Sequence, residues 1–339
     1  MSTSAAPVPE GPSGVGEGAP SALARVLGVL RAIPVVWYLT IILWVWIAAI
    51  NPLFAEPSGF LAYLKQAAPL AILAAGAFFV LASGEFDLSV GSLVTVCVVI
   101  AAAVSDGDPS KTVPVIALLF VIGLIVGLIN GVVTTIFRVP SFITTLAMLL
   151  ILDGAVWLYT SGSPKGALAD NFREIGRMGI DVPVIEQLPY SVIILVAIGA
   201  FSVWLMRGHF GRQVLAVGDN DRAAALSGIN VTRVRITAFV LSALSAVIAG
   251  ILLGGFAGVT AQVGQGLEFE AITAAVLGGT VLGGGRGSVV NAMAGALALT
   301  ALFSWLNLQG VSGALEDAVE GVIIIAAVAV ASYRLREGS

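Results

Sequence analysis

The chain has 339 residues, of which 58% are hydrophobic and 11% are charged, with a formal net charge of −4. Soluble domains carry about 25% charged residues, so this composition excludes an ordinary water-soluble protein. The lone cysteine, Cys97, excludes an internal disulfide and a thiolate cluster, and the lone histidine, His209, argues against a histidine-based metal site.

Residues 1–22 consist mainly of Ser, Ala, Pro, Gly and Glu. Such a segment cannot bury an apolar face, so we expect a disordered tail. It also lacks the basic start and short apolar core of a signal peptide. The remaining apolar sequence is spread evenly, which predicts one transmembrane domain over residues 23–336.

Charge-free apolar stretches recur from residue 32 to residue 332. A bilayer core needs about 20 apolar residues per helix, and these stretches are too long and too uniform for barrel strands. They predict an all-α polytopic membrane protein with about ten transmembrane helices. The helices are expected near residues 33–51, 63–82, 88–105, 113–137, 141–161, 189–206, 234–256, 270–283, 288–307 and 316–332. Segments 88–105 and 270–283 could instead be re-entrant, because broken helices are allowed where protein buries them.

Positive charge sets the expected orientation. With ten crossings and a cytoplasmic N-terminus, eleven of the 16 basic residues fall inside and five outside. The positive-inside rule therefore predicts that both termini are cytoplasmic. The longest outer loop, 162–189, could carry a small surface helix. Two glycine series with a spacing of four predict close helix packing: Gly123, Gly127 and Gly131, and Gly250, Gly254 and Gly258.

The basic cytoplasmic loop 207–235 contains a pattern typical of a short helix. Asp219 or Asn220 is a suitable N-cap, Asp221 places negative charge near the helix start, and Gly228 ends the segment. The small surface expected for this helix comprises Ala223, Ala224, Ala225 and Leu226. Such a helix suits docking into a soluble partner, although a simple connecting loop with an interfacial helix explains the same residues.

Acidic residues lie beside several apolar runs. Asp87, close to Glu85, either caps the next helix or contributes to gating or to a pathway, because a buried ionisable residue in a membrane is costly. The other acids are expected at the outer ends of two spans, where they either stabilise helix N-termini or form a docking patch for an external protein. These residues are Glu268, Glu270, Glu316 and Asp317.

Four blocks of this sequence carry a family resemblance. They are SGEFDLSVGS (83–92), NGVV with RVPSFITTL and YTSGSP (130–164), FGRQVLAVGDNDRAAALSGINV (210–231), and EFEAITAAVLGGT with GGRGS (268–288). Together they resemble the permease subunits of monosaccharide importers of the ATP-binding-cassette class, most closely the ribose-type permeases. Glu85 departs from the family pattern, in which Gly is usual, and Glu270 replaces a common Asp.

The resemblance implies a type II importer fold, similar to that of cobalamin permeases, in the cell inner membrane. It also implies partners: a second permease subunit, two cytoplasmic ATPase subunits that bind ATP and Mg, and an extracytoplasmic solute-binding protein. The family motif maps onto Gly84, Asp87, Leu88, Ser89 and Gly91. The ATPase-coupling helix maps onto Gly218, Asp219, Asn220, Asp221, Ala223, Ala224, Leu226, Ser227 and Gly228.

The expected function is therefore import of a small polar solute, most simply a monosaccharide such as ribose, without catalytic residues, cofactor or metal on this chain. The stretch 283–288 lacks the Lys of a phosphate loop. Related permeases for autoinducers or nucleosides, and an autonomous ion-coupled secondary transporter, are the alternatives. A membrane-embedded enzyme and a nucleic-acid binder lack the residues that each needs.

Overall fold

The computed structural model describes residues 33–163, 165–183 and 186–311, with isolated positions from 313 to 325. The predicted tail 1–22, most of the predicted span 316–332 and the acidic residues Glu316 and Asp317 lie outside the described residues. The compact unit that begins at Pro34 contains every element given below.

Twelve helices and one small hairpin make up the described part of this unit. In chain order they are α1 (Val35–Ile50), a 3₁₀ turn (Pro52–Ala55), α2 (Pro57–Ala82), α3 (Val90–Ser105), a second 3₁₀ turn (Pro109–Lys111), α4 (Thr112–Thr135), α5 (Ser141–Thr160), α6 (Asp170–Arg177), β1 (Gly179–Val182), β2 (Glu186–Pro189), α7 (Tyr190–Arg207), α8 (His209–Asp219), α9 (Asp221–Leu226), α10 (Val231–Ala257), α11 (Leu267–Leu277) and α12 (Val289–Leu308). Within the described residues, six helices are long and apolar enough to cross a membrane: α2, α4 with its preceding turn, α5, α7, α10 and α12.

The centre of the bundle is formed by α2 and α10. Helix α10 packs against α2, α3, α4 and α6, while α12 packs against α1, α2 and α11. The predicted glycine packing is confirmed for α4, because a methyl group at Gly127 would lie 2.8 Å from the Val240 Cα and one at Gly131 equally close to the Ile236 Cα. On α10, Gly250 contacts Val94 and Cys97 of α3, whereas Gly258 has open space around it and ends the helix.

Helix α3 begins inside the bundle. Arg235 lies near the start of α10, and its Nε contacts the Ser83 carbonyl just after the end of α2. Fifteen residues further along, Gly250 packs against Val94, a rise of about 22 Å. Since Val90 starts α3 one turn before Val94, the chain from residue 85 to 89 enters the bundle as non-helical backbone. The 16 residues of α3 span about 24 Å, less than a full bilayer core.

Helix α11 is the second short element, and it starts where α3 starts. The Gly264 amide donates a hydrogen bond of 3.0 Å to the Thr95 hydroxyl, and the Glu268 carboxylate lies against Gly91 so closely that no side chain fits there. The expectation that Glu268 and Glu270 precede this helix is wrong, because both stand in its first turn. Its predicted end at 283 is also wrong: it stops at Leu277, before Gly279 with φ +88°.

One further expectation needs correction. Residues 207–235 are not one loop, because α8 and α9 occupy most of the segment and α10 already begins at Val231. Helix α8 buries Gly211, Val214 and Val217 on one face, which stabilises it. The predicted outer segment 162–189 contains the expected surface helix, α6, and also the short antiparallel pair β1–β2. The described chain is mostly helical, which is consistent with an all-α polytopic membrane protein.

Candidate coupling site

The short helix α9 has a well-formed start and end. The Asn220 side chain accepts a hydrogen bond of 2.9 Å from the Ala223 amide, so Asn220 is the N-cap. At the other end, the Gly228 amide donates to the Ala225 carbonyl and the Ile229 amide donates to the Ala224 carbonyl, both at 3.0 Å. This is the Schellman pattern, and Gly228 supplies the left-handed residue that it needs at φ +84°.

The two faces of α9 differ. Ala224 is 4% exposed and packs into a core cluster with Val214, Val217 and Val234. The expectation that Ala224 is part of the exposed surface of α9 is therefore wrong. Leu226, in contrast, is 86% exposed, and Ala223, Ala225, Ser227 and Gly228 are also exposed. The outward face is thus a small apolar surface centred on Leu226.

Backbone contacts seat α8 and α9 on the rest of the bundle. Gly218 lies against the Ala82 carbonyl and the Gly285 amide, with no room for a methyl group. The Gly285 amide donates a hydrogen bond of 3.0 Å to the Ala82 carbonyl, and a methyl group at Gly284 would stand 2.8 Å from both the Gly218 Cα and the Gly84 amide nitrogen. The ends of α2 and α8 and the glycine-rich turn 283–287 therefore meet without intervening side chains.

Arg235 links α9 to the segment 83–92, which we call the motif segment. Its Nε lies 3.0 Å from the Glu85 Oε1, and one terminal nitrogen lies 3.4 Å from the Asp221 Oδ2. The Nε also donates to the Ser83 carbonyl at 3.4 Å. The Glu85 and Arg235 side chains are 13% and 20% exposed, whereas Asp221 is 55% exposed. Glu85, the departure from the family pattern, thus has a partner.

The motif segment continues through a chain of polar contacts. Asp87 accepts hydrogen bonds through Oδ1 from the Ser89 amide at 3.0 Å and the Ser89 hydroxyl at 2.7 Å. The Asn130 side-chain amide donates to the Ser89 Oγ at 2.9 Å. Asp87 therefore folds the turn before α3 rather than capping the helix, which has Ser89 in the N-cap position. The Phe86 amide donates to the Ser141 hydroxyl at 3.1 Å, which ties the segment to α5.

The remaining predicted residues lie elsewhere. Leu88 is buried, and the backbone of Gly91 is in contact with the Glu268 carboxylate. Glu268 is 7% exposed, which does not suit a surface contact with another protein. Glu270 is partly exposed and borders a cavity of about 490 Å³ between α2, α11 and α12. Glu85, Asp221 and Arg235 border a separate cleft of about 520 Å³, with Arg138 and Arg222 on its walls.

The comparisons with known proteins agree on one family. The family described as "Branched-chain amino acid transport system / permease component" matches residues 59–328. The ribose import permease protein of Escherichia coli K12 is 36% identical over 288 residues, covering 84% of this chain and 88% of that protein. The Bacillus subtilis 168 ribose import permease protein is 38% identical, covering 83% and 87%. The autoinducer 2 import system permease protein of Escherichia coli K12 / DH10B is 34% identical, covering 79% and 77%. No solved structure matches the chain.

The chain belongs to this permease family. Its membership of this family and its long apolar helices show that the permease is a multi-pass membrane protein and a transport component. The four blocks that suggested the family fall within the matched residues 59–328.

Sequence reasoning missed three residues that hold this part of the permease together. Arg235 was counted only as a positive charge, and Asn130 and Ser141 were noted only as members of a block that carries the family resemblance. No spacing rule pairs Arg235 with Glu85, which is 150 positions away. The only available signal was the Glu85 departure itself, because an added carboxylate near a membrane needs a partner.

Proposed function

We propose that this chain is the permease subunit of an ATP-binding-cassette importer that moves a ribose-type sugar into the cytoplasm. The family match and the ribose import permeases among the relatives support the transport role. The observation that carries the coupling role is the exposed Leu226 on a capped helix whose start is joined to the motif segment through Arg235.

The proposed assembly contains two permease subunits, two cytoplasmic ATPase subunits and an external binding protein. Helix α9 would dock into the ATPase through Ala223, Ala225 and Leu226. ATP binding would close the ATPase pair and displace α9. Because Arg235 contacts both Asp221 and Glu85, that displacement would pass to the motif segment and then, through Phe86 and Ser141, to α5.

We further propose a type II importer fold with ten spans and both termini in the cytoplasm. Six long apolar helices, the two 16-residue helices α1 and α3, the short helix α11 and the apolar sequence 316–332 add up to ten. In this orientation α9 faces the cytoplasm, and α6 and the hairpin face outward. Glu270, Glu316 and Asp317 remain candidates for the binding-protein contact, while the burial of Glu268 assigns it to the interior.

The proposal is tested with the permease reconstituted in liposomes with its ATPase and a ribose-loaded binding protein. Ribose uptake should require ATP and both partners. A Leu226→Asp variant should abolish stimulation of ATP hydrolysis by the binding protein while the permease still purifies as a folded dimer. A matched Leu158→Asn variant, also at an exposed leucine, controls for a general effect of surface change. Uptake driven by an ion gradient without the ATPase would refute the proposal.

One relative supports a second candidate solute. The autoinducer 2 import permease matches almost as much of the chain as the ribose permeases do. The candidates separate in the same liposomes by loading the binding protein with each solute in turn. Autoinducer uptake without ribose uptake would transfer the assignment to that branch.

A further inference from the structure

Helix α5 carries one charged side chain, Asp153, well inside its apolar length. Asp153 stands twelve residues after the helix start at Ser141 and seven before its end at Thr160. These separations correspond to about 18 Å and about 10 Å along the axis. The position therefore falls within the hydrocarbon core of a bilayer if α5 spans it.

Asp153 lies on the open face of α5. Its side chain is partly exposed, and no heavy atom stands within 4 Å of the position that a Gly154 Cβ would take. On the same stripe, Leu150 is 62% exposed and Trp157, one turn further, is 50% exposed. The salt bridges found among the described residues are those of Arg235, so no cation in that part of the chain neutralises Asp153.

A second carboxylate, Glu268, lies near the start of α3, and α3 packs against α5. Glu268 is 7% exposed and lies against Gly91, where the short helices α3 and α11 both begin. The elements on which α5 packs therefore hold a second acidic group, at the place where non-helical backbone enters the bundle.

A carboxylate facing lipid at the helix centre costs about 2.5–3.5 kcal/mol, so such groups face water or a cationic partner. Among the described residues, no Lys or Arg lies within α3, α5, α11 or α12. The one cation at a comparable distance inside a long apolar helix, Lys65 of α2, donates to the Arg177 carbonyl. Water on the open face of α5 would satisfy the Asp153 carboxylate without a cationic partner.

We propose that Asp153 lines the aqueous path of the solute and accepts hydrogen bonds from the hydroxyl groups of an uncharged sugar. An ionised carboxylate only accepts hydrogen bonds, and sugar hydroxyls donate them. Trp157 adds an aromatic plane for the apolar face of the sugar. The negative charge of Asp153 disfavours anionic solutes such as sugar phosphates. The inference rests on the proposed import function.

The first test measures water access and does not depend on transport. In the reconstituted importer, a charged, membrane-impermeant thiol reagent should modify Asp153→Cys at least tenfold faster than Val196→Cys. Val196 is a matched control because it is 65% exposed on the apolar helix α7. The native Cys97 is buried and supplies the background. Equal, slow modification of both variants would overturn the proposal.

The second test measures solute contact. Asp153→Asn keeps the size of the side chain, so it should lower ribose uptake about tenfold while binding-protein-stimulated ATP hydrolysis stays near that of the native importer. Asp153→Glu should recover part of the uptake. Native-level uptake by Asp153→Asn would overturn the role in solute contact. If the native importer moves no ribose while Asp153→Cys reacts fast, the proposed function fails and the water-lined face stands.

Discussion

The contact between Arg235 and Glu85 should be worth more than the contact between Arg235 and Asp221. The two pairs share one guanidinium but differ in distance, 3.0 Å against 3.4 Å, and in exposure of the carboxylate, 13% against 55%. Two unit charges about 4 Å apart attract by about 4 kcal/mol at an effective dielectric constant of about 20. Desolvation cancels part of this, and charged hydrogen bonds typically retain about 1.5–3 kcal/mol. An exposed pair retains about 0.2–1 kcal/mol.

A double-mutant cycle measures both energies. The variants are Arg235→Gln, Glu85→Gln and Asp221→Asn, alone and in pairs, with unfolding free energies obtained by denaturing-detergent titration. We expect a coupling of about 1.5–3 kcal/mol for Glu85 with Arg235 and below about 1 kcal/mol for Asp221 with Arg235.

The cycle also contains an internal control. Arg235→Gln leaves the mostly buried Glu85 carboxylate without its partner, so it should destabilise more than Glu85→Gln does. The double variant Glu85→Gln with Arg235→Gln should recover part of that loss. Equal couplings for the two carboxylates, or no recovery in the double variant, would refute the reasoning from burial.

Three further predictions concern the same region. Gly218→Ala should lower the thermal midpoint of the purified permease, because its methyl group meets the Ala82 carbonyl and overpacking costs about 1–3 kcal/mol. Gly228→Ala meets no atom within 4 Å, but Gly228 has a positive φ. Its thermal midpoint should therefore fall less than that of Gly218→Ala. The reverse order of the two thermal midpoints would contradict this reasoning. Asp87→Ala should destabilise by about 1–3 kcal/mol because it removes the acceptor of both Ser89 hydrogen bonds, while Asp87→Asn should lose less; equal losses would argue against these bonds. Gly127→Leu should separate α4 from α10 and abolish folding, whereas Gly154→Leu on the open face of α5 should purify normally as judged by size-exclusion profile.

Much of the fold followed from the sequence, because apolar length is a strong signal in a membrane. The long helices begin and end within a few residues of their predicted limits, apart from α2, which starts at Pro57 rather than near residue 63. The short helix α9 was also predictable, since Asn220 and Gly228 are local cap signals. Helix α8 was missed because its amphipathic pattern lies among arginines typical of a loop.

The site was predicted less completely than the fold. Ala224 is buried because it contacts α8 and α10. A run of alanines in the sequence does not indicate which of them is buried. The burial of Glu268 depends on Gly91, more than 170 positions earlier, and on α11 starting inside the bundle. Arg235 acts through partners on two other segments. Long-range contacts of this kind follow from chain topology rather than from local composition.

The junction of Ala82, Gly218 and Gly284 has a mechanical consequence. Where long side chains make the contact between two segments, a change of rotamer can absorb part of a displacement of one segment. Peptide backbone in direct contact has no rotamers to change, and Gly218 and Gly284 leave no space for their neighbours to move into. If α9 moves as proposed, the displacement would therefore pass through α8 to the end of α2 with little loss, and a short movement of α9 would be enough.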